Sequence, residues 1–487
     1  LDILLTNTYF YRLDPKQWRA AQPYPPLNTL FAASWLRKNG YQVEIFDNSL
    51  QPDSSSLEKY LPVASPSYFV IVDDGFNYLT KMCLTVMREA AFQMLGAARS
   101  LGIPSIIYSS DATDHAPDYH HAGADFVVHG ESEITLSDLL DTLENKKSIE
   151  RVRGISFVRD QLVKTGQRPV LQDLDTLPMP AWDMIDLQPY CKLWKAAHGY
   201  FSLNIATTRG CPFKCNWCAK PMYGNRYNSR SPEQVVSEME YLINNYHPDH
   251  FWICDDIFGL KPKWVQQFDS LVQRKKLKFR YKIQSRVDLL LKDDTMQALA
   301  SSGLETVWVG AESGSQKILD AMDKGTKVDQ IYSATQLAKQ HGIRVAFFLQ
   351  FGYLNESMED IKKTINMVMD LMPDEIGISV SYPLPGTKFY EIVKSELDKK
   401  SNWIDSSDLD LMFKNTYSSQ FYKTLHRFVH SKHRAKRGKK ALLSLLRFSS
   451  SSMKASLRQI VSGAFHSLRV LFLHPRLTKL SKISRHG

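Results

Sequence analysis

Short runs of aliphatic, β-branched and aromatic residues alternate with helix-spaced segments along most of the chain, and glycines mark many of the joins. Strand–helix–strand units bury each strand between covering helices, so a chain made of them forms parallel sheets. In the first series DILLTNT, YQVEIFD, YFVIVDDG, PSIIYSS and ADFVVHG read as strands. Between them PLNTLFAASWLRKNG places Leu30, Phe31 and Trp35 at helical spacing and closes at Gly40, residues 80–100 form a second helical stretch, and ITLSDLLDTLEN a third. The pattern predicts an α/β, doubly wound, Rossmann-like domain over residues 1–150. RGISFVRDQLV reads as a small hairpin, and the Pro-punctuated LPMPAWDMIDLQPY is expected to run extended over the surface, making 151–195 a linker. FSLNIATTRG, HFWICDD, RYKIQSR, TVWVGAES, RVAFFLQFG and EIGISVSYP then form a second alternating series over 196–400. That series predicts a partial or full (β/α) barrel with functional residues just after each strand. Beyond Trp403 the strand signal fades, and 401–487 reads as helices interrupted by FSSSSMK.

Hydrophobic residues make up 43% of the 487 and charged residues 23%, the balance of a globular chain. No apolar run approaches the ~18 residues that span a bilayer, and the opening DILLTNT lacks the regions of a signal peptide. Six cysteines make no disulfide scaffold, and the clustering of Cys211, Cys215 and Cys218 points to a reducing compartment and a metal site. The expected location is therefore cytoplasmic. Cys83, Cys191 and Cys254 stand alone, Cys254 reading as a core thiol. Charge divides the chain unevenly. Of the 61 Lys and Arg, 17 lie from Leu411 onward with no Asp or Glu among them, which leaves 44 against 51 acidic residues in the remainder.

The cysteines form C-x3-C-x2-C directly after a predicted strand. Thiolates are soft ligands, and three in one short loop can hold three corners of a [4Fe–4S] cube, leaving an iron free for a further ligand. A structural zinc would want four ligands, and this loop has no fourth Cys or His.

The Arg-Gly before the loop, the spacing itself and Trp217 before the last cysteine resemble the radical S-adenosylmethionine (SAM) superfamily. Asp255-Asp256-Ile257-Phe258 resembles its D-D-x-F element, Gln284-Ser285-Arg286-Val287-Asp288 its R-x-D element, Gly310 to Gln316 its G-x-E-S-G-S-Q, and Pro383 to Thr387 its P-x-P-G-T. The family's G-x-P-G-E-T stands here as Gly352-Tyr353-Leu354-Asn355-Glu356-Ser357, without the Pro-Gly, so a different local turn is expected. The resemblance implies that the cysteines bind a [4Fe–4S] cluster, that its open iron chelates SAM, and that reductive cleavage yields a 5′-deoxyadenosyl radical. It implies SAM contacts from Asp255, Asp256, Arg286, Glu312 and Ser313. Carboxylates suit this task because SAM offers ammonium and hydroxyl donors, although a strand-end carboxylate that is solvated or caps a helix would look the same.

A doubly wound domain before such a barrel resembles the cobalamin-binding class of radical SAM enzymes, which includes methyltransferases and magnesium-protoporphyrin ester cyclases. PYPPLNTLFAASWLRKNGYQVEIFD resembles the domain's opening and ADFVVHGESE its closing V-x-G-E-x-E turn, which implies cobalamin contacts at Gly130 and Glu131. Asp118-Tyr119-His120-His121-Ala122-Gly123 matches a D-x-H-x-x-G string, but it precedes the last strand, whereas a cobalt-ligating histidine follows the first. The resemblance implies methyl transfer to an unactivated carbon of a small-molecule or lipid-like substrate, with flavodoxin or ferredoxin as electron donor. A cyclase or rearrangement enzyme, and a cluster-containing membrane- or nucleic-acid-binding factor, are the alternatives. The basic tail admits three readings: a solvated helical cap, peripheral contact with the inner membrane surface, or, less favoured, nonspecific nucleic-acid binding.

Overall fold

The computed structural model describes residues 1–76, 84–218, 223–397, 400, 402–446 and 453–482. Cys83, the start of the 80–100 helical stretch and most of FSSSSMK lie outside them. Seven strands build the first sheet: β1 (Ile3–Thr6), β2 (Val43–Phe46), β3 (Tyr68–Val72), β4 (Ser105–Tyr108), β5 (Phe126–Val128), β6 (Ile155–Val158) and β7 (Leu162–Lys164), in the order β2-β1-β3-β4-β5-β6-β7. β1 to β5 are parallel, and β6 and β7 add antiparallel at the edge. The hairpin expected in the linker thus extends this sheet. β1 and β4 are buried throughout because helices cover both faces. The order reverses between β1 and β3, the kind of switch point at whose carboxyl edge doubly wound sheets place their ligands.

The linker does not run over the surface. Trp182 and Trp194 are fully buried and join Leu174, Leu177 and Tyr190 in the core of the second domain. Trp182 Nε1 donates to Glu238 Oε1 at 2.9 Å and Trp194 Nε1 to the Pro23 carbonyl at 2.7 Å. Large aromatic rings gain too much by burial to lie along an exposed connection once each N–H finds a partner.

The second sheet has six parallel strands in sequential order: β8 (Ser202–Ile205), β11 (His250–Ile253), β12 (Arg280–Ser285), β13 (Leu304–Glu312), β14 (Arg344–Phe351) and β15 (Glu375–Val380). β9 (Thr208–Arg209) and β10 (Asn228–Ser229) form a small antiparallel ribbon beyond β8. β8 and β15 are not paired to each other, so the sheet is an open, partial (β/α) barrel. Trp403 and Met412 pack on the first domain: Thr85 N donates to the Trp403 carbonyl, and the Trp403 ring meets that of Tyr382 at a tilt of 56° with centroids 4.1 Å apart. Two long helices, Ser419–Leu446 and Met453–Lys482, end the described chain. No helix among the described residues is long and apolar enough to cross a membrane.

Candidate active site between two sheet edges

The cysteine loop leaves β8 through Thr207 and Thr208, and the residue that fixes this exit is Asp255, at the end of β11. Asp255 is fully buried and accepts from Thr207 N at 2.7 Å, Thr208 N at 3.0 Å and the Thr207 hydroxyl. Burial pushes its carboxyl up to about 6 against those hydrogen bonds. Asp255, for which a SAM contact is expected, spends these bonds on holding the base of the loop. Neighbouring Asp256 is only half-buried and close enough to Cys218 to act on it electrostatically.

Cys211, Cys215 and Cys218 are half-buried and belong to no disulfide. The Cys218 thiol is pushed up to about 12, first by burial and then by Asp256, Cys215 and Cys211, with Lys324 opposing. Among the described residues no three His, Cys, Asp or Glu side chains converge on a single metal ion, and a [4Fe–4S] cluster does not ask them to, because each thiolate binds a different iron. The donor set suits iron–sulfur chemistry: three soft ligands in one loop, with the Lys324 ammonium near enough to act on Cys215 and Cys218.

Residues around the loop come from successive strand ends. Arg286, after β12, donates to Asp288 Oδ1 at 2.9 Å and to the Lys324 carbonyl at 2.9 Å, and lies 3.7 Å over the Phe213 ring of the cysteine loop. A register shift in β13 between Gly310 and Glu312 puts Glu312 at φ +55, a conformation a non-glycine residue adopts at a cost. Glu312 Oε1 accepts from Lys324 Nζ at 2.8 Å, and that ammonium sits 5.9 Å from the Trp217 ring. Burial works against the charged Lys324, but Glu312 and Cys215 outweigh it and hold its pKa above the ordinary value. Sequence reasoning missed Lys324, which belongs to no motif.

Ser313, also expected near SAM, is likewise engaged within the protein. It is fully buried, bonded to the Thr364 hydroxyl at 3.0 Å and accepting from Ser315 N at 3.1 Å, so it anchors the turn to the Met358–Leu371 helix. In the departed motif Asn355 takes φ +58, a left-handed conformation that asparagine tolerates, so the glycine is lost without losing that geometry. Glu356 accepts from Gly352 N at 2.6 Å, its other oxygen has no partner, and burial pushes its carboxyl up to about 8.

The first sheet meets this site edge to edge. Glu131, expected at cobalamin, instead accepts from Arg209 Nη1 at 2.9 Å and from Leu171 N. Glu133 accepts from Arg209 Nη2 at 2.5 Å, and the guanidinium, two residues before Cys211, lies among the rings of Phe31, Phe76 and Tyr223. The V-x-G-E-x-E turn is therefore a buried clamp on the root of the cysteine loop. Gly130, at φ +89 with open space where a Cβ would be, leaves the backbone accessible. Four buried polar atoms on the carboxyl-edge loops of this sheet have no partner: Asn48 Oδ1, Asp73 Oδ1, His129 Nδ1 and Ser132 Oγ. Unpaired buried polar atoms need an explanation, and a bound polar ligand is one. His120 lies elsewhere, its two ring nitrogens 2.8 Å from the Ala124 carbonyl and 3.1 Å from the Ser156 hydroxyl, so it is no free ligand for cobalt.

Comparison with known proteins agrees with this geometry. Residues 205–368 match the family model described as the Radical SAM superfamily. An uncharacterized methyltransferase of Pyrococcus horikoshii is 28% identical over 62% of this chain and 66% of its own length. The anaerobic magnesium-protoporphyrin IX monomethyl ester cyclase of Cereibacter sphaeroides is 26% identical over 78% of this chain and 62% of its own. The chain thus spans less than two thirds of the length of these curated relatives. The structure of the cobalamin-dependent S-adenosylmethionine radical enzyme OxsB with aqua-cobalamin bound superposes with a TM-score of 0.73 at 16% identity, covering 97% of this chain and 72% of that one. Residues 205–368 thus match the Radical SAM superfamily, and the Rossmann-like domain and open barrel together share the fold of that cobalamin-dependent structure.

Proposed function

We propose that this chain is a cobalamin-dependent radical SAM enzyme that transfers a methyl group to an unactivated carbon. The observation that carries the reading is the placement of a three-cysteine loop at the carboxyl end of one parallel sheet, clamped by Arg209 to the carboxyl edge of a second, Rossmann-like sheet. When bound, a [4Fe–4S] cluster with SAM supplies radical chemistry and a corrin supplies a methyl carrier. Cys211, Cys215 and Cys218 would hold the cluster. Asp256 and Glu312 would accept from SAM, with Arg286 keeping Phe213 in place beneath the loop. Asn48, Asp73 and Ser132, with the open backbone at Gly130, would meet the polar rim of a corrin at the switch point. The Arg209 clamp fixes the two edges relative to each other, and that placement is what a reaction between bound groups requires. A small-molecule or lipid-like substrate and a flavodoxin or ferredoxin as one-electron donor complete the reading, in the cytoplasm where thiols stay reduced.

The wider coverage of this chain by the cyclase match favours a second reading, cyclisation of a porphyrin-like substrate. SAM labelled in its methyl group separates the two under anaerobic, reducing conditions with candidate substrates. Label in the product supports methyl transfer, and product with 5′-deoxyadenosine but no label supports cyclisation. A fully reconstituted cluster that leaves SAM intact contradicts both.

A further inference from the structure

The two C-terminal helices form an antiparallel hairpin. Gly438 and Gly463 meet so closely that a Cβ on either would strike the other's backbone, and Phe428 lies against His474. The first helix buries Phe421, Tyr422, Leu425 and Val429 against the second domain. Lys436 and Arg437 donate to the carbonyls of Met369 and Asp374, at and just past the C-terminal end of the Met358–Leu371 helix. The second helix spends one face on the first, burying His466 and Leu477. Its opposite face carries Leu457, Val461, Phe465, Leu468, Leu471 and Phe472, each more than half exposed and Phe472 at 79%. The spacing puts all six on one stripe, about 22 Å long at helical rise.

A contiguous apolar stripe of this kind on a soluble surface marks an interaction site. Arg458 and Arg469 flank it, Arg476 and Lys479 continue its C-terminal end, and no acidic residue occurs from Leu411 onward. We propose that this face lies on an anionic lipid bilayer, the helix in the interfacial plane with its leucines and phenylalanines in the acyl boundary and its arginines at the headgroups. Charge selects this occupant. A second copy of the hairpin would bring arginine against arginine with no tail carboxylate between them, and a nucleic acid would press phosphates onto six bulky apolar side chains. The inference stands apart from the catalytic reading, because it uses none of the residues at the sheet edges.

The test is flotation of the full-length, anaerobically purified protein with vesicles of phosphatidylcholine alone or of phosphatidylcholine mixed with phosphatidylglycerol. The wild type is expected to partition onto the anionic vesicles about tenfold or more above the neutral ones, and less so as salt rises. F465S/F472S is expected to lower that partition by about tenfold while keeping iron content and melting temperature, since both rings are exposed. R458E/R469E is expected to remove the preference for anionic lipid. The proposal is overturned by no partition onto anionic vesicles, by partition that neither double variant changes, or by a wild-type dimer in sedimentation that F465S/F472S dissociates. Oligonucleotide binding that competes with vesicles and survives F465S/F472S overturns it in favour of nucleic acid.

Discussion

Asp73 and Asp255 occupy matching places. Each follows a parallel strand, β3 or β11, at the carboxyl edge of its sheet, each is buried, and burial pushes each carboxyl up to about 6. Their partners differ. Asp255 is surrounded by donors from Thr207 and Thr208, whereas Asp73 is hydrogen-bonded to Thr8 and leaves Oδ1 without a partner at the switch point of the first sheet. The aspartate that carries a family motif is therefore consumed by the fold, and the one in no motif keeps an oxygen to offer. A carboxylate's role follows from its unsatisfied valence more than from its place in a motif.

The clamp that joins the two edges offers the most forceful way to break that comparison. Arg209→Met leaves Glu131 and Glu133 buried without a counter-charge, with side-chain exposures of only 8% and 3%. It should destabilise the protein by about 3–5 kcal/mol in chemical denaturation. Retention of wild-type stability would mean that the edges are not held by this triad. Asp255→Ala strands three donors around the exit of the cysteine loop and should cost roughly 2–4 kcal/mol, with loss of iron after reconstitution.

Asp73→Asn should act in the opposite direction. With a folded pKa of about 6 above the ordinary 3.8, the folded state keeps its proton while the unfolded state loses it, so stability falls as pH rises through that interval and is level above it. The asparagine variant removes this share of the fall and should be more stable than wild type at neutral pH, on the order of 1–3 kcal/mol. Equal pH profiles for variant and wild type would show that Asp73 is satisfied after all. Asp255 titrates in the same window, which is why the substitution and not the wild-type profile separates them. The smallest effect belongs to the exposed pair Arg37–Asp183, 2.6 Å apart with both side chains about half exposed: Arg37→Ala should change stability by less than about 1 kcal/mol, and by less still in high salt.

The strands of both sheets were legible because period and length suffice to recognise a buried parallel strand, as in YFVIV of β3 or RVAFFLQF of β14. The order of cysteines and strand-end motifs was legible for the same reason: each is local. What lay beyond reading was the use of partners distant in sequence. Trp182 looked like part of an extended linker because its partner, Glu238, lies on a later helix. Glu131 looked like part of a cofactor turn because Arg209 reaches it only once the two domains are docked. Lys324 stands in a loop with no pattern around it, and only the positive φ at Glu312 turns that carboxylate toward it.

In the proposed reading the two facing edges hold a corrin and a cluster together. Anaerobic purification from cells supplied with cobalamin, followed by quantitation of corrin, iron and sulfide in the same sample, tests it most directly. About one corrin and one four-iron cluster per chain are expected. A full cluster with no corrin would contradict it and reduce the first domain to a scaffold for the cysteine loop.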